Sequence, residues 1–513
     1  MNKIWKILPL LFLSVLFIGC ENKSEGSAAS NVTNNGDDAS GLVENETWNK
    51  TIDIVWNGTD VTVTGSADGV KVSHSNGYVT INSNAENVEY IVSGVGTGQL
   101  SIYGNYKYKL LLDGLTLACP DGPAINSQCP RTCYAVLQGT NLLSDGSSDA
   151  ESEEDRKAAF FSEGRICFSG SGSLEVTGNC KHAIASDYYI RFCSGTGTLN
   201  LTAKASDGIH TNYGVIINDG TLTINAADDG IQCEASSVVI TGGTLNITST
   251  SDKGILSYSN INISGGIINI SSKYKCMKTD SHLTISGGTI TAVASATSSS
   301  DGTPEGIEAK GQITISGGQV FVKANDDAIN AGGDITISGG SVCAYSTGND
   351  GIDANGNCYI KGGLVYAIGA SSPEVAIDAN TEKGYQLYVQ GGTLVAIGGL
   401  ENGATLSQSC YSASSWSKNT WYALTVGSTT FAFITPSSGG TGMVVSGAST
   451  PALMSGVTAT GTSIFNGMGY YPATISGGSS VSLSAYNGGN MGGGGIPSGN
   501  NPGGGHNPGG GPK

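Results

Sequence analysis

Short stretches of this chain alternate apolar and polar residues. Residues 221–224 and 267–270 are two examples, rich in β-branched side chains and bounded by Gly, Asn or Asp. Alternation with a period of two predicts strands, and the bounding residues predict turns. Leucine-rich helical periodicity is absent. The pattern therefore predicts an all-β protein.

A four-residue phrase, Ile-Ser-Gly-Gly or a close relative, precedes many of these strands. Its copies end at Gly243, Gly266, Gly288, Gly318, Gly340, Gly363 and Gly392. Most of the steps are 22 or 23 residues, too short for a propeller blade, and the fixed Leu and Asn positions of leucine-rich repeats are missing. We therefore predict a right-handed parallel β-helix with about three short strands per coil.

A second phrase lies between successive copies of the first. It consists of a polar residue, a small residue and an aliphatic residue, as in Asp-Gly-Ile. We call the aliphatic residue the marker. The marker recurs at Ile184, Ile209, Ile231, Ile255, Met277, Ile307, Ile329, Ile352 and Ile377. Together with the apolar run 158–160, this predicts about ten coils, in which each sequence position becomes a column in space.

The remaining segments differ from the coils in composition. We predict a lipoprotein signal peptide at 1–20, a flexible linker at 21–47, the β-helix at 48–400, a C-terminal β module at 401–486 that caps the last coil, and a disordered Gly-rich tail at 487–513.

The sequence predicts a targeting signal at the N-terminus. Two lysines precede an apolar run that ends in Phe-Ile-Gly-Cys, which resembles a bacterial lipobox. Cys20 would then carry the lipid after cleavage. The sequence predicts an extracytoplasmic monomer that is anchored to a bacterial membrane, either the outer membrane or the cell surface.

Charge and cysteine content exclude some functions. The formal charge is -17, and no stripe of Lys or Arg is present to replace the counterions of phosphate, so nucleic acid is not expected as a partner. Eleven cysteines follow Cys20 without a paired C-x-x-C motif. We expect small, half-buried thiols rather than a disulfide framework or a zinc site.

Polar residues before and after the marker predict a ladder of carboxylates. Stacking places such groups about 5 Å apart, where like charges repel by roughly 3 kcal/mol at an effective dielectric near 20. Calcium would relieve this repulsion, since it prefers the oxygen ligands of Asp, Glu and Asn. The predicted metal ligands are Asp207, Asp228, Asp229, Glu308, Asp326, Asp327, Asn330, Asp350 and Asp353.

The same residues have a simpler interpretation, because Asp and Asn before Gly commonly cap the backbone amides of turns. We favour calcium where acids are paired or form a column. The hypothesis is two metal regions, one near 207–229 and another near 326–353. The five histidines are scattered, and His210 alone falls in an acidic region, where we expect an outward-facing turn residue.

The order of motifs resembles a known family. Tyr-Val-Thr-Ile at 78–81, Leu-Leu-Asp-Gly at 111–114, Gly-Pro-Ala-Ile at 122–125 and the later Asp-Gly-Ile coils look like bacterial cell-surface carbohydrate-binding β-helix proteins. The resemblance covers roughly residues 75–400. It implies a fold similar to that of pectate lyases, calcium bound along the coils, and polysaccharide as ligand. Lys253 and Lys275 depart from the pattern.

Three function classes remain open. The first is calcium-dependent, non-catalytic binding of an acidic or plant cell-wall polysaccharide, with Tyr213, Tyr258 and Tyr274 as sugar platforms. The second is a calcium-dependent polysaccharide lyase, whose base would be one of Lys253, Lys273, Lys275 and Lys278. The third is a structural surface spacer or adhesin, because fold alone does not fix function.

Overall fold

The computed structural model describes residues 42–148, 152–297 and 303–489. The predicted signal peptide, Cys20, most of the predicted linker and almost all of the Gly-rich tail lie outside these residues. Within them, the chain is almost entirely β, as predicted. The exceptions are single 3-10 turns at Val43–Asn45, Thr381–Lys383 and Phe465–Gly467.

The first part of the chain forms the early coils. Its strands are β1 (Lys50–Gly58), β2 (Asp60–Thr64), β3 (Val70–Ser75), β4 (Tyr78–Ser83), β5 (Val88–Thr97), β6 (Leu100–Gly104), β7 (Tyr108–Ala118), β8 (Ile125–Ser127), β9 (Cys133–Gln138), β10 (Thr140–Ser144), β11 (Ala158–Ser162), β12 (Ile166–Ser169) and β13 (Ser173–Gly178).

Regular coils of three strands follow. Their strands are β14 (His182–Ser186), β15 (Tyr189–Phe192), β16 (Thr198–Ala203), β17 (Ile209–Thr211), β18 (Gly214–Ile217), β19 (Thr221–Ala226), β20 (Ile231–Cys233), β21 (Val238–Ile240), β22 (Thr244–Ser249), β23 (Ile255–Ser257), β24 (Ile261–Ile263), β25 (Ile267–Ser272), β26 (Met277–Thr279), β27 (Leu283–Ile285), β28 (Thr289–Ala294), β29 (Ile307–Ala309), β30 (Ile313–Ile315), β31 (Gln319–Ala324), β32 (Ile329–Ala331), β33 (Ile335–Ile337), β34 (Ser341–Ser346), β35 (Ile352–Ala354), β36 (Cys358–Ile360), β37 (Leu364–Ile368), β38 (Ile377–Ala379), β39 (Leu387–Val389) and β40 (Thr393–Ile397).

These strands stack in parallel into a β-helix of about 12 turns, which confirms the predicted fold. This is more than the ten or so coils that the marker predicted. The difference arises because the strands before residue 158 form further turns that lack the marker. One sheet contains the strand that begins with the marker in each coil, for example β17, β29 and β35. We call it the marker sheet. Every marker residue is fully buried and stacks on its neighbours, so the markers form a continuous apolar column in the core.

The two glycine phrases have separate structural causes. The second glycine of each Gly-Gly pair has a positive φ; at Gly318 it is +82°, which side chains rarely tolerate. The small residue before the marker is required by packing. A Cβ at Gly306 would collide with Val322 Cγ1 of its own coil. Glycine therefore sets both the turn and the close contact between strands.

The C-terminal strands close one end of the coils and cover part of their side. They are β41 (Thr405–Leu406), β42 (Cys410–Ala413), β43 (Trp421–Val426), β44 (Thr429–Ile434), β45 (Met443–Ser446), β46 (Ala452–Ile464), β47 (Gly469–Val481) and β48 (Ser484–Tyr486). Strand β45 pairs antiparallel with β40, and β43, β44, β46 and β47 form a small closed barrel. Phe431 and Phe433 of the barrel pack with the outward-facing Tyr366 of β37. The module therefore contacts the side of the helix as well as pairing its edge.

The cysteines agree with the sequence interpretation in part. None of the eleven in the described ranges forms a disulfide, as expected, but all except Cys180 are buried rather than half-buried. Among the described residues, no helix is long and apolar enough to span a membrane.

Candidate functional site

The outward side of the marker sheet carries the predicted ladder, and we call it the ladder face. The position after the marker forms one column, in which Lys278, Glu308, Asn330, Asp353 and Asp378 are successive partners in the parallel register. The position two residues before the marker forms a second column. Its members are His182, Asp207, Asp229, Lys253, Lys275, Glu305, Asp327 and Asp350.

The aspartates of the second column cap the backbone of the next coil. In each case Oδ1 accepts a hydrogen bond from the amide of the following member: Asp229 N to Asp207 at 3.1 Å, Lys253 N to Asp229 at 2.9 Å, Asp350 N to Asp327 at 3.0 Å, and Val375 N to Asp350 at 2.6 Å. The turn-capping interpretation is therefore correct for one carboxylate oxygen. It leaves the second oxygen for another partner.

Toward the N-terminal end of the ladder face, acids and bases are mixed. This mixed region comprises His182, Asp207, His210, Asp228, Asp229, Asp252 and Lys253. Lys253 Nζ pairs with Asp252 and lies 3.7 Å from Asp229 Oδ1. Burial raises the pKa of Asp229 to about 7, although Lys253 opposes the shift. The positive charge of Lys253 thus partly compensates the buried carboxylate of Asp229 and the half-buried carboxylate of Asp252.

Two histidines flank Asp207, which is 2% exposed. Asp207 Oδ2 lies 3.2 Å from His182 Nδ1 and 3.0 Å from His210 Nδ1, and the two imidazole rings stack 4.3 Å apart. Burial alone would raise the pKa of Asp207, but the hydrogen bonds from both histidines outweigh it and lower the pKa to about 2. The prediction that His210 lies in a turn is wrong, because it belongs to strand β17. It is on the outward side of the sheet, but stacking on His182 buries it.

A second set of charges, the Lys275 network, occupies the middle of the ladder face. Lys275 Nζ pairs with Glu305 and lies 2.6 Å from Glu308 Oε2, while Lys310 pairs with the other oxygen of Glu308. Lys275 is 13% exposed in its side chain, and both glutamates are buried. Glu308, a predicted calcium ligand, is therefore bound by two ammonium groups.

The candidate lysine bases are engaged in comparable contacts. Burial alone lowers the pKa of Lys253, but Asp229 and Asp252 outweigh this and raise it, which keeps the amine protonated. Lys278 Nζ lies 3.8 Å from Asp280, and Lys273 Nζ lies 5.0 Å from the centre of the Tyr274 ring. A general base must be unprotonated, so Lys253 does not suit the role.

The C-terminal end of the ladder face is different, because it holds carboxylates without a base. This all-acid region comprises Asp326, Asp327, Asp350, Asp353 and Asp378. Asp327 and Asp350 are 4% and 8% exposed. No described lysine, arginine or histidine forms an ion pair with any of the five. Two of them accept from amides: Asn349 Nδ2 donates to Asp326 at 2.7 Å, and Asn330 Nδ2 donates to Asp327 at 3.0 Å. Asp378 is hydrogen-bonded to other carboxyl groups, those of Glu401 and Asp353.

The pKa values of this region reflect the missing base. Burial, followed by the charges of Asp353, Asp350 and Asp326, raises the pKa of Asp327 to about 9. Burial also raises the pKa of Asp350 to about 7 and that of Asp353 to about 6. Without a cation, Asp327 would be protonated at neutral pH and Asp350 would be protonated in part. Burial is the largest cause of these shifts, and the repulsion that the sequence predicted for stacked carboxylates adds to it.

The predicted tyrosines lie on both borders of the ladder face. Tyr274 precedes its marker strand, while Tyr213 and Tyr258 follow theirs. Tyr258 is 49% exposed. The Tyr213 ring stacks on Tyr188 at 4.8 Å, and Arg165 lies over Tyr188, so one face of Tyr213 is already covered. Tyr258 offers the most accessible ring of the three.

The predicted metal ligands are not equally close to one another. Among the described His, Cys, Asp and Glu side chains, two groups bring three ligand atoms within 4.8 Å: one is His182, Asp207 and His210, and the other is Asp228, Asp229 and Asp252. The sequence interpretation missed both histidines. Their place in the repeat could have identified them. His182 occupies the same column as Asp207, and His210 occupies the same column as Glu308.

One family model and one solved structure are similar to this chain. No curated protein matches this chain. One solved structure, described as the polysaccharide lyase-like protein from C. thermocellum in a gadolinium derivative, is 22% identical, covers 52% of this chain and 96% of its own, and has a TM-score of 0.39. The family model described as "Carbohydrate-binding domain-containing protein" matches residues 75–351, more than half of the 513 residues. The chain therefore belongs to this family of carbohydrate-binding domain-containing proteins.

Proposed function

We propose that the protein binds an acidic or plant cell-wall polysaccharide at the ladder face in a calcium-dependent, non-catalytic way. Family membership supports carbohydrate binding. The observation that carries the calcium dependence is the all-acid region, where five neighbouring carboxylates have no described basic partner. An acidic sugar would be repelled by this surface and by the net charge of -17 unless a cation lay between them.

The donor set of the all-acid region suits calcium. It consists of carboxylate and amide oxygens, which are the ligands that calcium takes, and it includes neither His nor Cys. Capping uses only Oδ1 of Asp350, which leaves its Oδ2 for an ion. Oδ2 of Asp327 accepts a hydrogen bond from Asn330 Nδ2 at 3.0 Å, and a bound ion would take the place of that hydrogen bond. Asp353 and Asn330 would complete the set from the other column. A bound calcium ion would neutralise these groups and attract the carboxylates of uronate residues.

The tyrosines on the borders of the face would supply apolar contact with sugar rings. Tyr258 is the best candidate because its side chain is the most exposed of the three. Aromatic side chains combine a large apolar surface with a hydroxyl group, which suits the mixed surface of a sugar ring. Tyr213 and Tyr274 would extend the contact along the coil axis.

The experiment is retention of the protein on immobilised polygalacturonate and on cellulose, with calcium or with EGTA. We expect calcium-dependent retention on polygalacturonate, and loss of the calcium response in the double variant Asp327→Asn, Asp353→Asn. Asparagine keeps the oxygen that caps the next coil, so folding should persist. The matched control is Asp60→Asn, an exposed acid on strand β2. Equal retention with calcium and EGTA would contradict the calcium dependence.

We further propose that Cys20 carries a lipid that holds the protein at the cell surface. The support is the lipobox-like phrase at the end of the apolar run. Mass spectrometry of the protein extracted from membranes should find a diacylated N-terminal cysteine. A Cys20→Ser variant should be released into the soluble fraction, and membrane retention of that variant would contradict the anchor.

A further inference from the structure

Three potential metal ligands converge within the mixed region. His182 Nδ1 and His210 Nδ1 both point at the same atom, Asp207 Oδ2, at 3.2 and 3.0 Å. Tetrahedral coordination with metal–ligand distances of about 2.0–2.2 Å places neighbouring ligand atoms roughly 3.3–3.5 Å apart. The two Nδ1–Oδ2 separations are only slightly shorter, and one ligand atom from each of the three residues lies within 4.8 Å of the others. Little movement would be needed for the three atoms to bind one ion.

The other contacts of the histidines are compatible with metal binding through Nδ1. His210 Nε2 lies 3.4 Å from Glu234 Oε1, which can accept a proton from Nε2. The amide of Asp207 donates to His182 Nδ1 at 3.2 Å, a contact that uses a lone pair on that nitrogen. With a proton on Nδ1, either histidine would donate to Asp207 Oδ2; with the proton on Nε2, both Nδ1 lone pairs face that oxygen. A cation at their centre would take the place of those Nδ1 protons and of the amide hydrogen bond.

We propose that His182, Asp207 and His210 form a binding site for a divalent transition-metal ion of the zinc class. Two of the three ligand atoms are imidazole nitrogens, which such ions prefer and calcium does not. The third is a carboxylate oxygen of a side chain that is almost completely buried. Glu234 is placed like the carboxylates that accept the second N–H of metal-bound histidines and fix the ring orientation.

This site is separate from the proposed calcium region in position and in ligand chemistry. It differs from the expectation, drawn from the sequence, that the chain has no zinc site. That expectation rested on the cysteines and on the oxygen-rich columns, whereas the histidines come from two adjacent coils. With three protein ligands, a fourth coordination position is left for water or for an oxygen of a ligand on the same face.

The test uses the full chain, stripped with EDTA and titrated with Zn²⁺ by calorimetry and with Co²⁺ by visible absorption. We expect one tight site per chain and a Co²⁺ absorption band typical of low coordination number. The double variant His182→Gln, His210→Gln should bind at least about a hundredfold more weakly and lose the band. Glu234→Gln should weaken binding by about tenfold. His282→Gln, which changes a histidine outside the site, should leave both readouts unchanged.

Two results would overturn the proposal: no tight Zn²⁺ binding by the wild-type chain, or equal affinity and an equal Co²⁺ band in the double variant. Glu234 is 48% exposed in its side chain, so its variant should fold normally and keep the test valid if the double variant unfolds. Polysaccharide retention with calcium is measured separately. The two proposals can therefore fail independently.

Discussion

The mixed region and the all-acid region share one face of one sheet, and both derive from the same repeat. In the mixed region, His182, His210 and Lys253 lie against the carboxylates. In the all-acid region, amides of Asn330 and Asn349 take those places, and the pKa values of the acids rise. The repeat thus fixes where side chains stack, while the residue type in each coil decides whether the charge is balanced internally or by an external cation.

The largest expected effect comes from removing the base of the Lys275 network. Lys275→Gln would leave Glu305 and Glu308 buried without their shared ammonium group. Breaking a buried pair in this way costs about 3–5 kcal/mol. Chemical denaturation should show this loss in the free energy of unfolding. Lys310→Gln is the matched control, since its side chain is 57% exposed and the expected loss is below about 1 kcal/mol. Equal losses of unfolding free energy in the two variants would mean that burial does not determine the strength of these ion pairs.

The second prediction concerns calcium and stability. Calcium at a hundred times its dissociation constant should stabilise the protein by about 2.7 kcal/mol relative to EGTA, because it binds only the folded state. The shift should disappear in Asp327→Asn, Asp353→Asn and persist in Asp228→Asn, which alters the mixed region. Thermal melts with calcium and with EGTA provide the measurement. Loss of the shift in Asp228→Asn alone would place calcium in the mixed region instead.

The third prediction is a dependence of stability on pH without calcium. Asp327 and Asp350 have folded pKa values of about 9 and about 7, above the ordinary 3.8. The unfolded chain therefore releases these protons first as pH rises, so the stability that they contribute below pH 4 is lost between about pH 4 and pH 9. The slope is at most about 1.4 kcal/mol per pH unit for each group.

Melting in EGTA at pH 5 and pH 8 tests this dependence. The protein should melt lower at pH 8, and Asp327→Asn should reduce the difference. The lowered pKa values of Asp207 and Glu308 act with the opposite sign, but only below about pH 5. Their stabilisation is lost as pH falls toward about 2. A higher melting temperature at pH 8 in EGTA would contradict the uncompensated charge of the all-acid region.

The smallest expected effect concerns the aromatic border. Tyr258→Ala should weaken polysaccharide retention by about threefold to tenfold, corresponding to about 0.7–1.4 kcal/mol. Tyr106→Ala is the control, because Tyr106 is also exposed, at 42%, but lies outside the regular coils. Affinity electrophoresis in gels with and without polysaccharide can resolve such differences. Equal effects of the two substitutions would remove Tyr258 from the binding surface.

The sequence was a better guide to the fold than to the site. The spacing of Ile307, Ile329 and Ile352 is a local property, and in a stacked coil it converts directly into a column of buried side chains. The capping role of Asp327 could likewise be predicted from its place before a small residue. The pairing of His182 with Asp207 could not, because it depends on how two side chains from adjacent coils turn toward each other.

The amino-acid sequence by itself determined the coil period, the all-β class and the two polar columns beside the marker. These features follow from the repeat, since each coil buries the same positions against its neighbours. Only the tertiary structure decided that Lys253 and Lys275 lie against carboxylates and that the aspartates 326–353 have no base. The physical reason is that charge compensation depends on distances of a few ångströms and on burial between coils, and a linear period specifies neither.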